Sequence, residues 1–108
     1  MARSEEMRFQ DLMRDEIFAK DPDVMAYKPG HPPKGTPDFI VFIKGGGVCV
    51  LEAKAYNGNP TPKQKDMIEK YRKLGIRAEV VRTEKKVRKI IQEVKANAER
   101  RQSETSGE

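Results

Sequence analysis

The fold is decided by two apolar runs and the glycines between them: Phe39-Ile40-Val41-Phe42-Ile43, then Lys44-Gly45-Gly46-Gly47, then Val48-Cys49-Val50-Leu51. β-Branched and aromatic residues favour strands, and a short glycine-rich link between two such runs is typical of a β-hairpin. Both faces of each run are apolar, unlike the alternation of a sheet that has one face in water. The stretch therefore predicts a central hairpin with helices packed on both sides.

The segment before the hairpin predicts one helix and one short strand. Apolar residues recur at helical spacing after Ser4, a typical N-cap followed by acidic residues, which predicts a helix over 4–20. Pro22 stops that helix, because proline lacks the backbone N–H that a continuing helix needs. An edge strand over 24–28 and a proline-rich loop over 29–37 then lead into the hairpin.

The segment after the hairpin predicts a second helix, a strand and a third helix. Thr61-Pro62-Lys63-Gln64 has the order of a capping box with proline in the first turn. The helix that begins there has three apolar residues on its predicted buried face, Ile68, Tyr71 and Leu74. A strand over 77–82 and a helix that begins after Thr83 complete the chain.

This order of elements predicts a mixed α/β fold. A length of 108 residues fits a single domain. We assign residues 1–96 to that domain, and we expect the polar residues 97–108 to form a frayed or disordered tail.

The composition excludes several classes of protein. No apolar run approaches the ~20 residues of a membrane helix, and the charged start of the chain lacks the apolar stretch of a signal peptide. With 1 Cys and 1 His the chain forms neither an internal disulfide nor a zinc cage. We therefore expect a cytoplasmic protein in which any bound metal is a hard ion held by carboxylates. The net charge of +5 permits nucleic-acid binding without requiring it.

Charged residues stand at the open end of the predicted hairpin, where a buried sheet seldom has them. Asp38 precedes the first strand, and Glu52 and Lys54 leave the same face at the end of the second. Carboxylates buried beside apolar residues need a compensating cation or hydrogen bonds. Lys54 supplies one cation, and a second acid at the same place requires more positive charge, such as a metal ion.

The register of the hairpin decides whether Asp38 shares that face. If Lys44 pairs with Val48, Asp38 lies on the face of the other two charges; if Ile43 pairs with Val48, it lies on the opposite face. A shared face brings together two carboxylates and a backbone carbonyl near Ala53, the oxygen ligands that Mg²⁺ and Mn²⁺ prefer. Such an ion supports phosphodiester hydrolysis.

These features resemble the VRR-NUC family of the PD-(D/E)XK nuclease superfamily. The resemblance rests on Pro37-Asp38 before the hairpin, Glu52-Ala53-Lys54 at its end and Thr61-Pro62-Lys63-Gln64 at a helix start, and it covers roughly residues 5–95. It implies a restriction-endonuclease-like mixed β-sheet with a central hairpin flanked by helices, and a DNA endonuclease that depends on Mg²⁺ or Mn²⁺. For the stand-alone phage and bacterial members, it implies action on branched DNA such as four-way (Holliday) junctions, as homodimers.

Carried over by position, the resemblance makes Asp38 and Glu52 metal ligands and Lys54 the residue that positions water. The carbonyl of Ala53 joins the metal ligands. The rival hypothesis is a non-catalytic DNA-binding module on the same scaffold, in which the charged residues form a salt-bridge cluster.

Two further residues carry a role by the same resemblance. Gln64 becomes the glutamine that approaches the site from the next helix, and it is equally suited to the capping box. The family also has a glutamate on its first helix. With about 100° per residue, Glu6 and Glu16 both face the apolar stripe of that helix, and Glu6 is favoured because it lies near the helix start.

Overall fold

The chain folds into one four-stranded sheet flanked by helices, and the computed structural model describes residues 4–106 of it. Its elements are α1 (Glu5–Leu12), a π-helical segment (Met13–Phe18) that continues α1, β1 (Val24–Tyr27), β2 (Phe39–Ile43), β3 (Gly47–Ala53), α2 (Pro62–Lys73), β4 (Arg77–Val81) and α3 (Glu84–Ser106). The strand order is β1-β2-β3-β4, with β3 and β4 parallel and the other pairs antiparallel. The predicted mixed α/β fold, with its central hairpin and edge strand, is confirmed.

The β2–β3 hairpin turns through residues 44–46, so that Ile43 pairs with Gly47. Gly45 and Gly46 have φ angles of +94° and +88°, in the left-handed region that favours glycine. Gly47, the first residue of β3, must be glycine for a different reason. A Cβ on it would lie 2.5 Å from Val94 Cγ1 of α3, so only glycine lets the helix pack this closely.

Both registers considered from the sequence are wrong in detail. They paired Val48 with Lys44 or with the residue before it, whereas its observed partner is Phe42. Compared with the first alternative, the observed pair Ile43–Gly47 lies one residue earlier on each strand. The same side chains therefore share a face as in that alternative. Continued by one step, the observed register sets Asp38 opposite Glu52 on the same face of the sheet.

The larger core lies between one face of the sheet, the π-helical segment and α3, and α1 packs against its edge through the half-buried Phe9 and Leu12. Its largest fully buried side chains are Met13, Val41, Leu51, Val81, Val87 and Ile90. On the other face α2 covers only part of the sheet, where Val50, Ile68 and Ala78 form a smaller core. Helices therefore cover both faces, as predicted, but the β1–β2 part of the second face stays open to solvent.

The first helix changes its geometry after its second turn. Ser4 Oγ accepts a backbone N–H at 3.1 Å, so it is the N-cap that the sequence predicts. Along Met13–Phe18 the helix widens to π-helical form, in which each residue advances by less than the ~100° of an α-helix. The predicted helical phase therefore fails there. Glu16, predicted to face inward, is exposed and forms an ion pair with Lys20 at 2.6 Å.

The end of α2 differs from its predicted buried face. Ile68 is buried and Tyr71 half-buried, but Leu74 is 76% exposed. Leu74 is the C-cap residue, and Gly75 follows with a φ of +84°. The chain leaves the helix at this point, so Leu74 does not lie on the apolar stripe.

The last helix, α3, extends further than the sequence predicts. It continues through Ser106, where a frayed or disordered tail is expected from residue 97. Ala98 contributes to this extension, because it is fully buried and packs against Gly45 of the hairpin turn. The division at residue 96 stays a prediction, and the ends of both predicted segments, 1–3 and 107–108, lie outside the described residues. Within residues 4–106, neither α3 nor any other helix has the length and apolar character to cross a membrane.

Candidate active site

Asp38 and Glu52 meet where β2 begins and β3 ends. Asp38 Oδ2 accepts a hydrogen bond from the backbone N–H of Ala53 at 2.8 Å. This bond ties the acid in front of β2 to the residue that follows Glu52 on β3. The structure thus brings together the two acids that the sequence nominates as metal ligands, while their chemical role stays a prediction.

Glu52 is the only buried charged or polar side chain of the described core, with 2% of its surface exposed. Its Oε2 accepts a hydrogen bond from Gln64 Nε2 at 3.1 Å and lies 3.4 Å from Lys54 Nζ. Its Oε1 is buried and has no hydrogen-bond partner among residues 4–106. A buried polar atom without a partner lowers the stability of the folded state by about 1–3 kcal/mol. Glu52 Oε1 is therefore an unfavourable feature of the fold unless a ligand binds it.

Lys54 links β3 to α1 through its ammonium group. Its Nζ lies 3.3 Å from Glu6 Oε1 and 3.4 Å from Glu52 Oε2, and only 12% of the side chain is exposed. Of the two first-helix acids considered from the sequence, Glu6 therefore contacts the site, and the exposed Glu16 does not. An ammonium has three N–H donors, so these two contacts leave one for a further ligand.

Gln64 makes the contacts that both of its predicted roles require. Its Oε1 accepts the backbone N–H of Thr61 at 2.8 Å and its backbone N–H donates to Thr61 Oγ1 at 3.1 Å, which completes a capping box. Because Oε1 is used in this way, the amide must turn its Nε2 toward Glu52. The start of α2 therefore fixes the orientation of a donor to the buried acid.

Burial disfavours the ionised forms of Asp38 and Glu52. Burial raises the pKa of Glu52 to about 7, and the negative charge of Asp38 adds to this. Burial also raises the pKa of Asp38, against the lowering effect of the Ala53 N–H bond. Burial alone lowers the pKa of Lys54, but its bond to Glu6 and the charge of Glu52 outweigh burial, so Lys54 stays a cation. The cluster therefore lacks positive charge rather than negative charge.

The donor set of the cluster fits a hard divalent cation. One carboxylate directly precedes β2 and the other lies on the adjacent β3, and one oxygen of the second is buried without a partner among residues 4–106. Within residues 4–106, no three His, Cys, Asp or Glu side chains are grouped so as to hold a metal. A cation here would draw on Asp38, Glu52, the backbone carbonyl of Ala53 and water, which suits Mg²⁺ and Mn²⁺ because both keep several water ligands.

Sequence reasoning missed one pair at the site, Lys28 and Gln10. Lys28 Nζ donates to Gln10 Oε1 at 2.5 Å, and the positive charge of Lys28 acts on Asp38. The contact joins the end of β1 to α1. No local pattern predicts it, because it depends on the pairing of β1 with β2 and on the packing of α1 against the sheet.

The fold and this cluster together define a candidate nuclease domain of the mixed α/β class. The model of the VRR-NUC domain family matches residues 2–85, and the chain belongs to this family of nuclease-type domains.

Solved structures agree with this assignment. One, described as a VRR_NUC domain, is 29% identical to the chain with a TM-score of 0.66, over 83% of this chain and 97% of that one. Another, described as a VRR_NUC domain protein, is 20% identical with a TM-score of 0.63, over 87% of this chain and 90% of that one, and shares the fold. Among curated proteins, none matches the chain.

Proposed function

We propose that this chain is a metal-dependent DNA endonuclease that hydrolyses phosphodiester bonds with Mg²⁺ or Mn²⁺ bound at Asp38 and Glu52. The observation that carries the proposal is the buried Glu52 Oε1 without a partner among the described residues, opposite a second acid. A divalent cation stabilises such a pair, because it neutralises both charges and coordinates the free oxygen. Membership of a nuclease-type family supports the same chemistry.

The contacts of each residue give it a role in this reaction. When bound, the cation polarises the phosphate and makes a water molecule more acidic. Asp38, Glu52 and the carbonyl of Ala53 hold it, with Gln64 fixing the Glu52 side chain. Lys54 directs its remaining N–H to the attacking water and offsets the negative charge that grows on the phosphate oxygens.

Hydrolysis adds one water molecule across a phosphorus–oxygen bond. The water oxygen bonds to phosphorus, one ester oxygen leaves with the bonding electrons, and the protons of the water pass to that oxygen and to solvent. Glu6 contributes indirectly, because it holds the Lys54 ammonium beside Glu52. Removing Glu6 should therefore weaken the reaction less than removing Lys54.

Branched DNA, such as a four-way junction, is the proposed substrate, and a homodimer is the proposed working form. The family resemblance supports both, and the open sheet face supports the dimer. Met25, Tyr27 and Phe42 are 59%, 53% and 46% exposed on that face, which is typical of an interaction surface. A two-fold dimer presents two sites to two symmetric strands. Sedimentation velocity tests the proposed dimer: the wild type should sediment as a dimer, and Phe42→Glu should sediment as a monomer.

The proposal is tested with linear, flapped and four-way DNA, each incubated with and without Mg²⁺ or Mn²⁺. We expect cleavage only with metal and fastest on the four-way DNA. Asp38→Ala, Glu52→Ala and Lys54→Ala should abolish cleavage and leave DNA binding and folding nearly intact. Glu99→Gln, which alters an exposed acid of α3, is the matched control and should cut normally. Cleavage that survives in all three site variants contradicts the proposal.

A non-catalytic DNA-binding module is the second candidate. The ion pairs of Lys54 with Glu6 and Glu52 favour it, because a purely structural salt-bridge cluster has the same contacts. Titration with Mn²⁺ separates the two candidates. A nuclease should bind Mn²⁺, and Glu52→Gln should abolish that binding. A non-catalytic module should bind DNA but neither bind Mn²⁺ nor cut.

A further inference from the structure

Lys28 is a second cation beside the acid cluster. Its charge acts on Asp38, but within residues 4–106 it forms no ion pair with a carboxylate. Tyr27, the last residue of β1, pairs with Ile40, so Lys28 leaves the strand beside Phe39, the residue that follows Asp38. Its side chain is exposed, and none of the ion pairs in the described part of the chain includes it. Its charge is therefore available to an anion from solution.

A neutral group fixes the position of this ammonium. Lys28 Nζ donates to the amide oxygen of Gln10, at 2.5 Å, rather than to a carboxylate. Gln10 lies one turn after Glu6 on α1, and Glu6 in turn binds Lys54. One ridge of α1 thus holds two lysines next to Asp38. Because an amide carries no net charge, Gln10 fixes Lys28 without neutralising it.

The charges around Lys28 indicate which anion it binds. Three acids, Glu6, Asp38 and Glu52, surround the single ammonium of Lys54, so the metal-free cluster keeps a net negative charge that repels the phosphates of an approaching DNA strand. A fixed and uncompensated ammonium at the rim of that cluster opposes the repulsion. Lysine binds phosphate as a point charge, and such contacts set the position of the strand without reading its sequence.

We propose that Lys28 binds a backbone phosphate of the DNA strand that enters the site, next to the phosphate that is cut, and that Gln10 positions it. This inference rests on the proposed nuclease function, since it assumes that DNA approaches the cluster of Asp38, Glu52 and Lys54. It adds a substrate contact that is separate from the metal ligands. Lys28 is accordingly expected to affect binding and KM, whereas the acids affect kcat.

The test compares three variants in a binding assay that needs no cleavage. Lys28→Gln removes the charge and keeps most of the side-chain length, and Lys28→Arg keeps the charge. Lys44→Gln is the matched control, because Lys44 is an exposed lysine in the hairpin turn at the opposite end of β2. Fluorescence anisotropy with a labelled four-way DNA in EDTA gives the affinity at several salt concentrations, and thermal unfolding verifies that each variant is folded.

A lost phosphate contact changes the salt dependence by a known amount. We expect the slope of log affinity against log salt to become shallower by ~0.9 in Lys28→Gln, with about tenfold weaker binding. Lys28→Arg and Lys44→Gln should keep the slope of the wild type. An unchanged slope in Lys28→Gln, or an equal change in Lys44→Gln, overturns the assignment.

Cleavage in Mg²⁺ separates this inference from the proposed function. If the wild type cuts, Lys28→Gln should raise KM about tenfold and change kcat by less than about threefold, because the contact is made in both ground and transition states. If Lys28→Gln shows the shallower slope but the wild type never cuts, the nuclease function alone is refuted. A wild type that does not bind DNA overturns both.

Discussion

Glu52→Gln removes the charge that we assign to metal binding and keeps the size of the side chain. In the metal-free protein it relieves a buried carboxylate that has one oxygen without a partner in the described structure and an acid, Asp38, opposite. The substitution removes a buried negative charge, and a buried group without enough compensation costs about 1–3 kcal/mol or more when it is charged; 1 kcal/mol corresponds to roughly 4–8 °C in the unfolding temperature of a domain of this size. The amide oxygen still accepts the bond from Gln64. We therefore expect the variant without metal to unfold at an equal or higher temperature than the wild type.

A divalent cation should reverse this order. A ligand that binds only the folded state stabilises it by about 2.7 kcal/mol at one hundred times its Kd. For a domain of this size that is a rise of roughly 10 °C or more in the unfolding temperature. The wild type should gain this stability with Mn²⁺ or Mg²⁺, whereas Glu52→Gln should gain almost none, because it lacks the charge that coordinates the ion.

Thermal unfolding followed by circular dichroism measures both effects, first in EDTA and then across a Mn²⁺ titration. Glu99→Gln serves as the control, since it removes an exposed acid far from the cluster and should follow the wild type. An equal gain in Glu52→Gln and the wild type refutes the assignment of this acid as a ligand. A wild type whose unfolding temperature ignores Mn²⁺ refutes the metal site altogether.

Two further substitutions test how the site is supported and how the fold depends on pH. Gln64→Glu keeps the capping box, because glutamate also accepts the Thr61 N–H, but it replaces the donor to Glu52 with a further negative charge; we expect at least a tenfold loss of kcat, and a normal rate in single-turnover assays would show that Gln64 only caps α2. Burial raises the pKa of Asp21, but a backbone N–H bond and Lys95 outweigh it, so the pKa is lowered and the stability it confers is present above the ordinary value of 3.8 and lost as pH falls through the lowered one. Lys95→Met should therefore cost about 0.5–1 kcal/mol near pH 7 and progressively less as the pH falls through the lowered pKa of Asp21, and denaturant titrations that give the same cost throughout this acid range contradict this.

The hairpin was predictable because its signal is local. Two β-branched, apolar runs around glycines allow few other structures, and the apolar character of both faces predicts helices on both sides. The register was not predictable in detail, because the residue type of Gly47 favours a turn, whereas Gly47 is the first residue of β3. The need for glycine at this position comes from Val94, because a Cβ would lie 2.5 Å from its Cγ1, and Val94 lies far along the chain.

The acids of the first helix show a similar limit. Glu6 lies in the regular part of α1, where helical phase is a good guide, and it contacts Lys54. Glu16 lies in the π-helical segment, whose wider turn breaks that phase and directs Glu16 to solvent. A π-helical segment has no clear sequence signature, so the phase of the second half was not predictable.

The part of the candidate site that strand geometry alone predicts is the part built on neighbouring strands. Glu52 and Lys54 share a face by strand parity, and Asp38 joins them through the hairpin. The contact between Lys28 and Gln10 crosses from an edge strand to a helix. Such a contact follows from packing alone, and local sequence patterns do not carry it.

The most direct test of the account is a crystal structure of the protein soaked in Mn²⁺, with the ion located by its anomalous scattering. We expect an ion bound to carboxylate oxygens of both Asp38 and Glu52 and to the carbonyl of Ala53, at roughly 2.1 Å, with water in the remaining positions. Oε1 of Glu52 should be among the ligands. A crystal in which Mn²⁺ is bound elsewhere and this oxygen stays without a partner would contradict the central claim.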